Sequence, residues 1–190
     1  DRWVIATAIE WARTHAEVFS RVARIFINLS RDSVVDPEMG EFIRQSLAAS
    51  GVDPRCIGFE TAENIAIGNL GKANALIVGL RRIGCSFALD DFGSGVSSFA
   101  YLKALSVDFL KIDGMFIGNM SQDRVDYAMV RSIKEIGHVM GKVVVAESVE
   151  SESALQNLRE IGVDYAQGFA IAAPRALEEI GSVSVADLLA

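Results

Sequence analysis

The chain has 190 residues, 51% of them hydrophobic, and a formal net charge of −7 at pH 7. This length and apolar content suit one domain with a sizeable core and argue against disorder, and no apolar run approaches the roughly 18 residues of a membrane span. With 18 Lys and Arg against 25 Asp and Glu, a general surface for a nucleic-acid polymer is excluded, because phosphate backbones are held by clustered cations.

The opening segment "DRWVIATAIEWART" reads as an amphipathic helix, charged at both ends. It has neither the basic leader nor the small-residue cleavage site of a signal peptide. Six short apolar runs follow as candidate strands: "IFINL" (25–29), "CIGFE" (56–60), "SFALD" (86–90), "VDFLK" (107–111), "VVVAE" (143–147) and "VDYAQ" (163–167). Their shortness, β-branched content and lack of polar alternation suit strands buried on both faces. Helical patterns lie between them, with apolar stripes at Leu76, Leu80 and Ile83, at Met129, Ile133, Ile136 and Met140, and at Leu155, Leu158 and Ile161. Gly84, Gly141 and Gly162 each stop a helix just before a strand, as a glycine in the left-handed conformation does. From about Ala176 the pattern is less clear, and "SVADLLA" suggests a closing helix. Strand–helix repetition of this kind predicts parallel strands joined by crossover helices in a single domain. Cys56 and Cys85 stand alone, without CxxC spacing, and read as buried free thiols. His15 and His138 form no HxxxH pair, which disfavours zinc.

Each candidate strand ends in a polar group: Asn28, Glu60, Asp90 with Asp91, Lys111 with Asp113, Glu147, and Gln167. In parallel strands these groups share the carboxyl edge, where open sheets and β/α barrels place their sites. Taken singly, each has a bland reading. Asp90 or Asp91 could cap a helix, Glu60 or Glu147 could face a helix dipole, and Asn28 could open an Asx-turn. Taken together they form an oxygen-only donor set without His or Cys, which suits Mg²⁺ or Mn²⁺ and admits Ca²⁺. Adjacent Asp90 and Asp91 diverge in direction and are better suited to two neighbouring ions than to one. A two-metal clamp of that kind activates water and stabilises a phosphoryl leaving oxygen. Lys111 would balance charge or orient the water. Gly93 and Gly95 let the following loop turn sharply.

Other motif readings are weaker. "DFG" occurs without the glycine loop, β-strand lysine or catalytic loop of a protein kinase. "GSGVSS" is not GxGxxG, and no GxxxxGK[ST] is present. Glycosidase chemistry by two carboxylates would leave Lys111 and most of the acidic groups without a role.

The segment "LDDFGSGVSSFAYLKALSVDFLKID" resembles the DDFGTGYSSL…YLK…LPVD-LKID signature of EAL-domain cyclic di-GMP phosphodiesterases, and "VVVAESVESESALQNLREIGVDYAQGFAIAAP" resembles the family's closing segment. "FINLS" is similar to VNLS and "GFETAEN", more loosely, to LEITES. The resemblance runs from about Trp3 to Pro174. It implies a (β/α)8 TIM-type barrel, of which this chain covers roughly the last six parallel strands and their helices, and the metal-dependent hydrolysis of cyclic di-GMP to linear pGpG. It carries over Asn28, Glu60, Asp90, Asp91 and Glu147 as ligands of Mg²⁺ or Mn²⁺, two ions in all, with Ca²⁺ inhibitory. Lys111 and Glu147 become catalytic, Asp113, Gln167 and Gly168 bind substrate, and Glu63 and Glu150 stabilise the loop after Asp91.

The same resemblance implies a homodimer through the loop Asp91–Ser98 and the helix after it, about Ser97 to Leu105. It also implies attached sensor or cyclase domains and a bacterial signalling role, either free in the cytoplasm or as the cytoplasmic part of a membrane-anchored protein. The Glu-Ala-Leu motif itself is absent, as expected of an N-terminally truncated domain. Ala62 stands where the family has threonine, Ser148 where it has glycine and Val96 where it has tyrosine. A degenerate module that binds cyclic di-GMP without cleaving it is therefore the rival reading.

Overall fold

A computed structural model describes residues 1–95 and 100–182. The chain forms two compact units: Asp1–Asp90 with Gly95–Phe109, and Asp91–Ser94 with the described residues from Leu110 onward.

In the first unit the expected amphipathic helix is α1 (Arg2–Thr14). It buries Ile5, Ala8, Ile9 and Ala12, the i, i+3, i+4, i+7 face of a helix, and leaves Trp3 and Val4 exposed. That face packs on α4 (Met39–Ser50), which buries Ile43 and Leu47 and stops at Gly51 in the left-handed conformation. Two short helices, α2 (Ala16–Phe19) and α3 (Arg31–Val35), flank β1 (Ile25–Asn28). Next come β2 (Ile57–Ala62), α5 (Glu63–Gly68), α6 (Leu70–Arg82) and β3 (Ser86–Phe92), whose last two residues belong to the second unit. β1, β2 and β3 are parallel neighbours in chain order. Residues 57–61 are all buried, as a strand covered on both faces requires. Gly58 is needed there, because a Cβ would stand 2.5 Å from the Phe26 ring.

The second unit contains most of β4 (Phe109–Ile112), then α7 (Gly114–Ile117), α8 (Arg124–Val139), β5 (Val143–Ala146), α9 (Glu152–Ile161) and β6 (Tyr165–Ala166). Backbone bonds from Asp113 N to Phe92 O (3.2 Å), Glu147 N to Ile112 O (3.2 Å) and Gln167 N to Ala146 O (2.8 Å) tie successive strand ends together in chain order. Ser151 caps α9 through its side chain, and Gly162 ends it at φ +77°.

Two details differ from the expected pattern. The buried face of α8 is Val130, Ile133 and Gly137, while Met129 is exposed. Gly137 sets this face: a Cβ there would lie 2.7 Å from Val144 Cγ2, so the helix meets β5 at a residue with no hydrophobic signal. Secondly, "VD" at 107–108 and 163–164 precedes its strand and does not extend it. In the first unit the Asp108 carboxylate accepts Phe87 N (3.0 Å) and pairs with Arg81 (2.8 Å). In the second, Asp164 accepts Val144 N (2.7 Å), with His138 Nε2 at 2.8 Å. Each aspartate thus holds the first turn of the preceding strand to a basic residue of the helix before it.

Residues 96–99 and 183–190 lie outside the described residues, and with them part of the expected dimer loop and "SVADLLA". From Ala100 the expected helix is a single 3-10 turn, Tyr101–Lys103, and the segment after Ala176 holds a 3-10 stretch, Leu177–Ser182. No helix among the described residues is long and apolar enough to cross a membrane.

Candidate functional site

The first unit places its acidic groups by strand register. Asn28, the exposed last residue of β1, pairs with Glu60 on β2, and Ala62 pairs with Asp90 on β3. Parallel pairing therefore puts all three polar groups at the carboxyl edge, as the sequence predicts. Glu60 is 6% exposed. Its carbonyl accepts Leu29 N (2.7 Å), and the next residue's hydroxyl, Thr61 Oγ1, donates to Leu29 O (3.0 Å), so two bonds tie this strand end to Leu29.

Glu63 opens α5 and is 1% exposed. A buried carboxylate needs hydrogen-bond donors. The Tyr101 hydroxyl donates to Glu63 Oε1, while Glu63 Oε2 lies 3.7 Å from where a Cβ on Gly95 would stand. Burial first, and then the bond to Glu63, push the Tyr101 hydroxyl well above the ordinary phenol range. Sequence reasoning singled out Glu63 but not Tyr101. The tyrosine of "AYLK" carried no signal beyond its place in the signature.

In the second unit Asp91 is exposed and adopts φ +53°, a left-handed conformation uncommon outside glycine. Ser94 holds it there, its N–H and hydroxyl both donating to Asp91 O (3.3 and 2.8 Å). One carboxylate oxygen of Asp91 and one of Glu147 lie within 4.8 Å of each other. Lys111, on buried β4, places Nζ 2.6 Å from Glu147 Oε1, with side chains only 7% and 13% exposed. Two carboxylates, one of them exposed, and one buried ammonium form a compact oxygen-donor arrangement with its own countercharge. The donor set fits a hard divalent cation.

The remaining expected residues are placed as follows. Asp113 caps α7, accepting Met115 N at 2.8 Å. Gln167 is exposed beyond β6, its carbonyl accepting Val149 N (3.0 Å). Gly168, at φ +154°, presses on the Val149 backbone so closely that a Cβ would stand 2.2 Å from its nitrogen. Glu150 is exposed and makes no side-chain hydrogen bond or ion pair among the described residues. Ser148, next to Glu147, is the other non-glycine residue at positive φ (+51°) among the described residues. Its side chain sits over Gly114, where a Cβ would be 2.5 Å from Ser148 Cβ. The sequence marked Ser148 as a departure from the family pattern but gave no sign of its partner.

Comparison with known proteins follows the same lines. The family model described as "EAL domain" matches residues 1–174. The chain is 40% identical over 177 residues to the cyclic di-GMP phosphodiesterase PdeB of Shewanella oneidensis, covering 93% of this chain and 21% of that protein. It is 36% identical over 178 residues to the cyclic di-GMP phosphodiesterase PdeF of Escherichia coli, covering 93% and 24%. The chain thus spans between a fifth and a quarter of the length of these relatives. Among solved structures, the PaMucR phosphodiesterase in complex with c-di-GMP superposes with a TM-score of 0.88 at 29% identity, over 94% of this chain and 72% of that one. The EAL domain of Mycobacterium smegmatis DcpA gives a TM-score of 0.88 at 31% identity, over 95% and 82%. These neighbours fix the architecture as the TIM-type β/α barrel of EAL domains, to which this chain contributes six parallel strands and their helices.

Proposed function

The chain belongs to the EAL domain family, and on that premise we propose that it hydrolyses cyclic di-GMP to linear pGpG in a divalent-metal-dependent reaction. The observation that carries the proposal is the buried Lys111–Glu147 pair at 2.6 Å beside the Asp91 carboxylate. A binding surface for an anionic dinucleotide has no use for paired carboxylates unless a cation neutralises them. In this reading Asn28, Glu60, Asp90 and Glu147 hold one Mg²⁺ or Mn²⁺ ion and Asp91 a second. Bound there, the ions would acidify a water and offset charge on the phosphate.

The side chains have separate tasks. Lys111 restrains the Glu147 carboxylate and donates a hydrogen bond to the attacking water, and Glu147 accepts that water's proton. Water adds to phosphorus and one P–O3′ ester bond breaks. The freed 3′ oxygen gains a proton, and the product keeps a 5′ phosphate. Gln167, Asp113 and Gly168 line the substrate side, while Glu63 holds the loop after Asp91; Glu150, exposed and without a side-chain bond among the described residues, is left without that task.

The test is direct. Full-length protein incubated with cyclic di-GMP and Mg²⁺ or Mn²⁺ should yield pGpG by anion-exchange chromatography. Exhaustive chelation should abolish the product, and Ca²⁺ should suppress it. Tight binding of cyclic di-GMP with no pGpG in either metal would replace the enzyme by a receptor.

A further inference from the structure

We infer that Ser94 is a positioning residue of this site: its hydroxyl, acting through the Asp91 carbonyl, holds the backbone that aims the Asp91 carboxylate toward Glu147. The inference rests on the hydrolase reading above. It concerns the second unit alone, which contains Asp91–Ser94 as well as Lys111 and Glu147. In a regular strand, consecutive side chains point to opposite faces. Asp91 leaves that geometry at φ +53°, a left-handed conformation that is unfavourable for a residue with a Cβ. With the backbone turned in this way, one Asp91 carboxylate oxygen lies within 4.8 Å of one from Glu147.

Such a conformation persists where neighbouring contacts over-determine the backbone. Phe92, the next residue, is 1% exposed, and its carbonyl accepts Asp113 N at 3.2 Å, which moors the turn to the end of β4. Gly93 follows at φ +98°, the positive value that the third position of a type II turn requires. Ser94 then closes the turn on Asp91 O twice, through its N–H at 3.3 Å and through its hydroxyl at 2.8 Å. The N–H bond is long for its kind and the hydroxyl bond is of ordinary length, so the hydroxyl is the stronger tie. Ser94 is exposed, and a bond in that setting adds little to the stability of the whole fold. Its effect is local: it fixes the Asp91 carbonyl, and with it the direction in which the neighbouring carboxylate leaves the chain. Had the hydroxyl merely taken the place of a water on that carbonyl, its removal would leave metal affinity unchanged.

The experiment compares full-length parent protein with Ser94→Ala, which removes the hydroxyl, and Ser94→Thr, which keeps it. Mn²⁺ alone is titrated by electron paramagnetic resonance, alongside thermal unfolding and steady-state kinetics. Loss of one neutral hydrogen bond corresponds to about fivefold in an equilibrium constant, here the balance between the aimed and the relaxed Asp91 backbone. Apparent affinity falls by the fraction of molecules that leave the competent state. Mn²⁺ affinity at the weaker of two sites should therefore fall about fivefold in Ser94→Ala. Its melting temperature should stay within about 2 °C of the parent, and KM for cyclic di-GMP should not change. Turnover should drop at limiting Mn²⁺ and recover at saturating Mn²⁺. Ser94→Thr should match the parent within about twofold throughout. Parental Mn²⁺ affinity in Ser94→Ala, or a Ser94→Thr variant as weak as Ser94→Ala, would overturn the inference. So would a Ser94→Ala variant with a lowered melting temperature and both Mn²⁺ sites weakened alike, which marks a purely structural role. A parent that binds two Mn²⁺ ions but does not cleave cyclic di-GMP would sink the hydrolase reading alone, since the titration still decides the role of Ser94. A parent that cleaves cyclic di-GMP with a single bound Mn²⁺ would overturn the inference and leave the hydrolase reading standing.

Discussion

Lys111 Nζ stands 2.6 Å from Glu147 Oε1, and neither side chain is more than 13% exposed. An ion pair so poor in water is not the weak, screened kind found on protein surfaces. Lys111→Ala leaves Glu147 without this countercharge and the reaction without its proposed water donor. The variant should lose about 100-fold or more in kcat while KM changes less than about threefold, because the contact is used as charge develops. Steady-state kinetics check this, and a rise in KM alone would reassign Lys111 to substrate binding. Lys111→Arg should not rescue the rate, since a planar guanidinium cannot occupy the same short-range position.

Asp91 offers a clean separation of charge from conformation. Asparagine tolerates positive φ at least as well as aspartate, so Asp91→Asn keeps the φ +53° backbone and removes only the anionic ligand. The melting temperature should stay within about 2 °C of the parent, and turnover should fall by about 100-fold or more. Parental turnover in this variant would remove Asp91 from the metal site.

Gly114 and Ser148 should behave as one unit of packing. Gly114→Ala puts a methyl 2.5 Å from Ser148 Cβ and should cost about 1–3 kcal/mol by urea unfolding. Ser148→Gly removes both the obstacle and a non-glycine left-handed residue, so alone it should stabilise by about 1 kcal/mol. In combination it should rescue most of the loss from Gly114→Ala. Additive effects in the double variant would show that the two side chains do not meet.

Cys85 gives an alkaline signature. Burial pushes its thiol up to about 12 from the ordinary 9.0. As pH rises above 9 the unfolded chain loses this proton while the folded one keeps it, so the unfolded state binds fewer protons and stability falls. Between pH 8.5 and 10.5 the parent should lose urea resistance faster than Cys85→Ala does. At pH 8 a thiol reagent should modify half-buried Cys56 readily and Cys85 only when the chain unfolds.

The expected strands and their polar ends were legible because a hydrophobic run and the residue that terminates it are properties of consecutive positions. Asn28, Glu60 and Asp90 needed only parallel register to share an edge, and that follows from strand–helix alternation. Three things were not legible. The contact face of α8 centres on Gly137, which hydrophobic periodicity cannot weigh. Asp108 and Asp164 read as strand residues, although their carboxylates act as hydrogen-bond partners for the preceding strand. The Tyr101–Glu63 bond joins residues 38 positions apart, and no local pattern reports a partner at that distance.

The aspartate clasps bear on the order in which the chain folds. Asp108 reaches back 21 residues to Phe87, and Asp164 reaches back 20 to Val144. Each clasp closes a short stretch of chain, so the entropic cost of forming it is small and its closure is fast. On a ribosome adding about 5–20 residues per second, the two ends of each clasp are made within about one to four seconds of each other. Removing either carboxylate would therefore be felt first in nascent-chain yield and only afterwards in the melting temperature of protein that has already matured.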